Sequence, residues 1–500
     1  MLAASTLTGC FTVGPDYKPA PAPVPTHFKE LKGWKLATPS DALDRGDWWA
    51  PYRDPKLALL LRQVEVSNQN VAVQAAAYEQ ARAIIREAQA ALFPVVTANY
   101  TGTHTHTGPA AITTTGLAGS EATTYTPQLT GTWDLDVWGK VRRQIESNAS
   151  AAQASAADLA NVKLSQQALL ATAYYNLRTE DELADLLRRT LVQYRETQRV
   201  TQNKVDAGCC APPLTSVTPA DLALAKAQVE NTTAQLINVG VFRAQYEHAI
   251  AMLIGRPPAE LSIGHRPLTG AYLPHIPVSV PSTLLERRPD VAFAERTMQQ
   301  QNALIGVAEA AFYPDLSLTA TLEWVGRTPF PFNVANEVWS LGGTASEVLF
   351  EGGLRSAQLD AARAVYWQSV ATYRQTVLTA FQQVEDQLAA IRILTRQLAV
   401  QRQAVKDATE AVRVYTNQYT AGTIDLTVLV TGQVALLQDE EAELTVRQSL
   451  FLDTVSLIEA LGGTWDTTLL PSGEELAKSF SLLPKLPVTD AGVEYPPPRP

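Results

Sequence analysis

The sequence predicts a mainly α-helical chain with a membrane β-barrel portion, made of a duplicated helix, strand, strand, long helix, helix unit. Three observations lead there. Two runs, about 141–205 and 353–419, contain no proline and space their apolar residues by threes and fours. Segments beside those runs alternate threonine with apolar residues, the period of a strand. The order of these segments then recurs after about 220 positions.

Composition removes several alternatives. The 500 residues suffice for about two to four domains. They are 46% hydrophobic, 18% charged and carry a net charge of −10, which gives no support to a nucleic-acid partner. No run of eighteen apolar residues supplies a transmembrane helix. Six scattered histidines and three cysteines, Cys10, Cys209 and Cys210, make neither a disulfide framework nor a zinc-ligand pattern. P-loop, zinc-protease, nucleophile-elbow and Cys-x-x-Cys motifs are missing. A non-enzymatic chain without metal or cofactor is expected.

Residues 1–10 end in Leu7-Thr8-Gly9-Cys10, which resembles a bacterial lipobox with a truncated signal, so a covalent lipid on the Cys10 thiol is expected. Residues 11–54 read as an extended tether, since Pro15, Pro19, Pro21, Pro23 and Pro25 exclude helix. Trp48, Trp49 and Tyr52 are aromatic anchors at its end. The first repeat covers 55–255. It opens with a helix to Phe93, stopped by Pro94, and continues with strands at about 95–107 and 124–136. The long helix 141–205 would be roughly 100 Å long. Thr218 is an N-cap candidate for the return helix, with Pro219 at its first position.

The strands are two-faced. Tyr125, Pro127, Leu129, Gly131 and Trp133 share one parity, and Thr126, Gln128, Thr130, Thr132 and Asp134 the other. A soluble sheet with one wet face would alternate in this way. A membrane barrel with a wet lumen requires it. Flanking long helices and a long intervening loop favour the barrel.

A connector at 256–282 precedes the second repeat, 283–463. Pro289-Asp290-Val291 matches Gln69-Asn70-Val71, and Ala311-Phe312-Tyr313-Pro314 matches Ala91-Leu92-Phe93-Pro94. Strands fall at about 315–325, with Ser317, Thr319 and Thr321 on the polar parity, and at 338–349, where Glu347 breaks the pattern. The long helix 353–419 and a return helix follow, and 464–500 reads as an irregular tail. Four strands cannot enclose a lumen, since membrane barrels begin at about eight. Open edges in hydrocarbon would leave backbone groups unpaired, so several chains must complete one wall.

Leu7-Thr8-Gly9-Cys10, Val13-Gly14-Pro15-Asp16-Tyr17, Trp138-Gly139-Lys140, Phe350-Glu351-Gly352-Gly353 and Ala421-Gly422-Thr423-Ile424-Asp425, with the duplicated plan, resemble the outer-membrane efflux protein family of TolC/OprM-like and NodT-type lipoproteins. The resemblance implies a homotrimer whose twelve-stranded barrel is continuous with an α-helical periplasmic tunnel, with the connector in an equatorial region. It also implies a periplasmic adaptor, an inner-membrane pump of the RND type, and a passive exit duct in the outer membrane. In such proteins a tyrosine before the second hairpin turn and an acidic residue after it hold the tunnel closed. Tyr419 matches the tyrosine, but Thr431 occupies the aspartate position. Asp425 could substitute, or could simply cap the return helix. The hairpin turns at Gly208 and Gly422 would dock the adaptor, and Cys209 to Ser216 resembles an insertion of about eight residues in the first.

Other side chains keep two readings. Trp133, Trp324 and Trp339 suit membrane-interface girdles or core packing. His104 and His106 could hold a metal or mark the outer end of the barrel. Asp134 and Asp136 could be an acid pair, though a rim or lumen position fits better. A type I protein-secretion conduit and a pore-free coiled-coil scaffold are the competing functions.

Overall fold

The computed structural model describes residues 12–30, 47–108, 121–207, 217–274, 276 and 286–477. Cys10, Gly208, Cys209 and Cys210 lie outside these residues.

Two helices open the chain, α1 (Pro55–Ser67) and α2 (Gln69–Ala90), where sequence periodicity suggests one. Asn68 makes the break. Its backbone is extended, its Oδ1 accepts from the amides of Asn70 and Val71, and its Nδ2 donates to the Leu253 carbonyl at 2.7 Å. A side chain that satisfies three backbone groups outweighs the helical pattern around it. Then come β1 (Val95–His106), β2 (Glu121–Asp134), α3 (Lys140–Asp206) and α4 (Pro219–Leu253). The second unit is α5 (Pro289–Ala310), β3 (Asp315–Trp324), β4 (Glu337–Ser346), α6 (Leu354–Ala421) and α7 (Leu426–Ala460). Paired elements have nearly equal lengths: 67 and 68 residues for the long helices, 35 and 35 for the returns. Among the described residues no helix is long and apolar enough to cross a membrane.

The fourth strand ends at Ser346, short of the expected 349. Glu347 leaves the sheet to pair with Arg355 at 2.8 Å, and Leu349 and Phe350 are almost wholly exposed beyond it. The tail is not wholly irregular either. A short helix, α8 (Gly473–Ala477), buries Leu476 against Ile85 and Ala152.

The four strands form one antiparallel sheet in the order β1-β2-β3-β4. Its register sorts the side chains. Ala98, Leu129, Leu322 and Trp339 lie in one row, and Val96, Gly131, Ala320 and Leu341 in the next. The alternate rows are polar, as in Thr97, Thr130, Thr321 and Ser340. A slip of one residue would mix the two faces. Val96, Tyr100, Leu129, Trp339 and Leu341 are all exposed on the apolar face.

The helical layer holds the main core. Trp48, Trp49, Tyr52, Leu57, Leu61, Tyr174, Tyr175 and Phe451 are buried together midway along α3. A charge network closes this core. Asp54 caps α1 and also receives the Tyr174 hydroxyl (2.9 Å), Arg178 (3.0 Å) and Arg266 (2.8 Å). One turn along α3, the fully buried Asp181 takes Arg243 at 2.7 Å, the Arg266 amide at 2.7 Å and His265 at 3.1 Å. Removing one partner would strand a buried charge, at about 3–5 kcal/mol.

Residues 12–30 are extended, yet they are a docked strap and not a free tether. The Val13 amide donates to the Trp138 carbonyl at 3.0 Å, and buried Arg143 grips the carbonyls of Val13 and Gly14. Gly14, at φ +97°, lies directly on Gly306, where any Cβ would collide with the α5 backbone. Further along, Arg374 donates to the Pro21 carbonyl, Phe28 meets Phe381, and Glu385 receives the amides of Lys29 and Glu30.

Glu180, like Trp49 and Tyr52, leaves a buried polar atom unpaired in this interior. Its Oε2 is buried with no hydrogen-bond partner, and burial, reinforced by the neighbouring Asp181 charge, pushes its carboxyl up to about 7. A folded-state value above the unfolded one means that the fold loses stability as pH rises from the ordinary carboxylate range through about 7. Glu180→Gln should therefore raise the thermal midpoint by a few degrees at pH 8 and change it little at pH 4.5. Equal effects at both pH values, read by thermal unfolding in detergent, would refute this.

Candidate functional site

The far end of the helical layer, where α3 and α6 stop and α4 and α7 begin, gathers the side chains singled out for closing a tunnel. Local sequence shapes each corner. α6 ends because Gly422 adopts φ 78°, which lets the Gly422 and Thr423 amides fold back onto the carbonyls of Tyr419 and Gln418. α4 starts with a capping box, in which Thr218 Oγ1 accepts from the Asp221 amide and Asp221 accepts from the Thr218 amide.

Tyr419 sits 1% exposed between the two hairpins. Its hydroxyl shares a 2.7 Å hydrogen bond with Thr201 of α3, itself fully buried. The Lys204 ammonium stands 4.1 Å from the centre of the Tyr419 ring and also donates to the Tyr419 carbonyl. Burial raises the tyrosine, with the Thr201 bond pulling the other way and Asp221 adding to the rise. Burial also lowers Lys204 from its usual range. One turn further in, Gln433 of α7 donates to Thr197 Oγ1 at 3.0 Å, and Tyr194 donates to the Gln433 carbonyl at 3.3 Å. Thus α3 is stitched to both helices of the second hairpin by neutral hydrogen bonds and one cation over a ring.

Asp425 and Thr431 are not part of this cluster. Asp425 occupies the N-cap position of α7, but its side chain makes no capping bond and is exposed. The Thr431 hydroxyl returns to the Thr427 carbonyl of its own helix at 2.7 Å. Thr201, Lys204 and Gln433 escaped the sequence reading. A threonine and a lysine near a helix end look like solvated surface until the partner helix, more than two hundred residues away, is in place. A groove of about 500 Å³ runs beside Tyr419 between α3 and α6, lined by Val192, Glu196, Val200, Val412 and Arg413 among others.

In the sheet, Thr126, Gln128, Thr130, Thr132 and Asp134 share a face with Ser317, Thr319 and Thr321, through the pairs Thr130–Thr321, Thr132–Thr319 and Asp134–Ser317. Gln128 donates to Glu323 across the same face at 3.1 Å. Trp133, near the helix end of the sheet, donates to the Leu92 carbonyl at 3.0 Å; Trp324 and Trp339 lie toward the loop end. His104 and His106 face Thr123 and Glu121 across the strand pair. Asp136 does not join Asp134 as an acid pair. It caps α3, accepting from the amides of Val141 and Arg142 and from the Arg142 guanidinium at 3.0 Å.

Comparison with known proteins bears on both ends of the molecule. The family model described as outer membrane efflux protein matches residues 60–256 and 280–463. The probable efflux pump outer membrane protein TtgC of Pseudomonas putida is 28% identical over 470 residues, 93% of this chain and 94% of its own. The outer-membrane channel OprN superposes with a TM-score of 0.81 at 27% identity, covering 90% of this chain and 99% of its own. The MtrE outer membrane channel of Neisseria gonorrhoeae, in its open state, gives 0.79 at 27%, over 91% and 99%.

Thr201→Val should leave the Tyr419 hydroxyl buried without a partner and cost about 1–3 kcal/mol. The expected signature is faster amide exchange in the last turns of α6, with the Trp48–Tyr175 core unchanged. Unaltered exchange at Tyr419 would show that the bond contributes nothing.

Proposed function

This chain belongs to the outer membrane efflux protein family, and on that premise we propose that it is the exit duct of a tripartite pump, passively conducting what an inner-membrane transporter delivers. The observation that carries this is the four-stranded sheet, apolar and exposed on one face, polar on the other, open at both edges and standing on helices 67 and 68 residues long. Ten to fourteen residues per strand, tilted as in membrane barrels, span the apolar band of about 25 Å. The helices reach roughly 100 Å, the scale of a periplasm.

Three copies give a twelve-stranded wall in which the edges of β1 and β4 pair with neighbours. Thr126, Gln128, Thr130, Thr132, Asp134, Ser317, Thr319 and Thr321 then line water, while Trp133 on one side and Trp324 and Trp339 on the other mark the membrane boundaries. The helical layers continue the cylinder, and the Tyr419 cluster is its closing end. In this reading Tyr419, Thr201 and Lys204 fasten the inner hairpin to the outer one, and threefold copies of exposed Asp425 set an acidic mouth, with Thr431 outside the latch. A periplasmic adaptor docks at the Gly208 and Gly422 turns and along the groove between α3 and α6. The inner-membrane partner is of the RND type. A lipid on Cys10 fits the same plan, because Val13 is already fixed at the turn between β2 and α3.

Purified protein should run as a detergent-stable trimer and conduct ions in planar bilayers. Asp425→Ala should reduce cation over anion selectivity while leaving the folding stability within about 0.5 kcal/mol of the parent, as expected of an exposed residue without a capping bond. A folded monomer, or selectivity that does not move, would overturn the barrel or the acidic mouth respectively. Mass spectrometry of Cys10 from protein made in a lipoprotein-processing host should show the added acyl mass.

A further inference from the structure

The segment joining β3 to β4 is short, aromatic and rigidly folded. Arg327-Thr328-Pro329-Phe330-Pro331-Phe332 leads to Asn333 and Val334 before β4 begins. Its ends are tied by the Val325 amide donating to the Asn336 carbonyl at 2.9 Å, and Pro331, buried, packs onto Gly326. Asn336 Nδ2 also donates to the Pro331 carbonyl at 3.0 Å. Nothing here resembles a loop that is merely long enough to turn a chain.

Its placement is informative. The loop does not project straight past the sheet. Gly326 exchanges backbone bonds with Tyr125 of β2 (2.8 and 3.1 Å), and the Tyr100 hydroxyl of β1 donates to the Pro329 carbonyl at 2.6 Å. Tyr100 shares the apolar face with Ala98, Leu129 and Trp339. Trp324, on that face too, meets Phe332 edge to face at 5.4 Å. The loop is therefore folded back over the rim of the apolar face and held there by two neighbouring strands. Despite this ordering, Phe330 is 78% exposed, Phe332 58% and Val334 87%. Large apolar side chains on a rigid support, continuous with an exposed apolar sheet, need an apolar or interfacial medium.

We propose that residues 327–334 form a lipid-binding collar that inserts Phe330, Phe332 and Val334 among the lipids at the outer boundary of the membrane. The occupant is a lipid surface. Aromatic rings on a rigid loop suit the headgroup level, where one end of the ring is apolar and the other wet. Arg327, exposed and without an ion pair among the described residues, offers a cation to lipid phosphates. Glu337 shares a row with Trp324 and sets the water side of the same boundary. The proposal rests on the reading of the sheet as a membrane wall.

The test uses the full chain reconstituted in phospholipid vesicles. With Cys209 and Cys210 replaced by serine, and that background labelled alone to subtract any Cys10 signal, Phe330→Cys is labelled with a polarity-sensitive fluorophore, and Leu341→Cys on mid-β4 is labelled as the wall control. Lipids brominated near the headgroup end of their acyl chains should quench the Phe330 label, and lipids brominated near the chain centre the Leu341 label, each at its own depth. Quenching at position 341 but not at 330, whether the 330 label is water-exposed or shielded by protein, overturns the collar and leaves the wall standing. Quenching at neither position overturns the wall as well. A gel confirming the same oligomer for each labelled variant keeps either outcome interpretable.

Discussion

A strand edge leaves one backbone group after another unpaired, at several kcal/mol each in hydrocarbon, and the proposed membrane wall has to answer that constraint. The sheet has two such edges, the outer sides of β1 and β4. Its two halves come from the two repeats, so the β2–β3 pairing is made across the duplication and not within either one. The same junction is reinforced off the sheet, where Trp138 donates to the Pro314 carbonyl at 2.8 Å and stacks on Tyr313. A chain that fuses its two half-sheets internally leaves only the outer edges of β1 and β4 unpaired, the one kind of seam the proposed barrel has to close.

The helical layer meets a different demand. Long helices with small residues on their inner faces, such as Ala152, Ala154 and Ala157 in α3, let neighbouring backbones approach closely. Close approach by itself does not fix register over 67 residues. The network around Asp54 and Asp181 does, because each carboxylate accepts several donors at angles that only one axial position satisfies. The core around Tyr174 and the Tyr419 cluster act as two fixed points on one rod, and the stretch between them is held mainly by side-chain packing.

Much of this was legible from the sequence. Strand alternation, the proline-free rods and the repeat all follow from periods that a single chain displays without partners. What escaped depended on distant contacts. Asn68 sits in a helical pattern and breaks it because the Leu253 carbonyl waits for its amide. Asp136 looks like half of an acid pair, but the helix N-terminus two turns of chain later claims both oxygens. Proline spacing told that residues 12–30 are extended, yet not whether they are free, since the arginines and glutamates that hold them lie from 143 to 392. At the hairpin end, Tyr419 was singled out by its match to the family's tyrosine before the second turn, while Thr201 and Lys204 acquire meaning only opposite it.

The strap also sets an order of events. Residues 12–30 are made before Asn302, Arg374, Glu385 and Arg392, which hold much of their length. Val13 and Gly14 find Trp138 and Arg143 within the first repeat, but the rest of the strap can dock only once the second repeat has been made. Full seating is therefore a late step of folding, completed along the side of α5 and α6 that no earlier intermediate possesses.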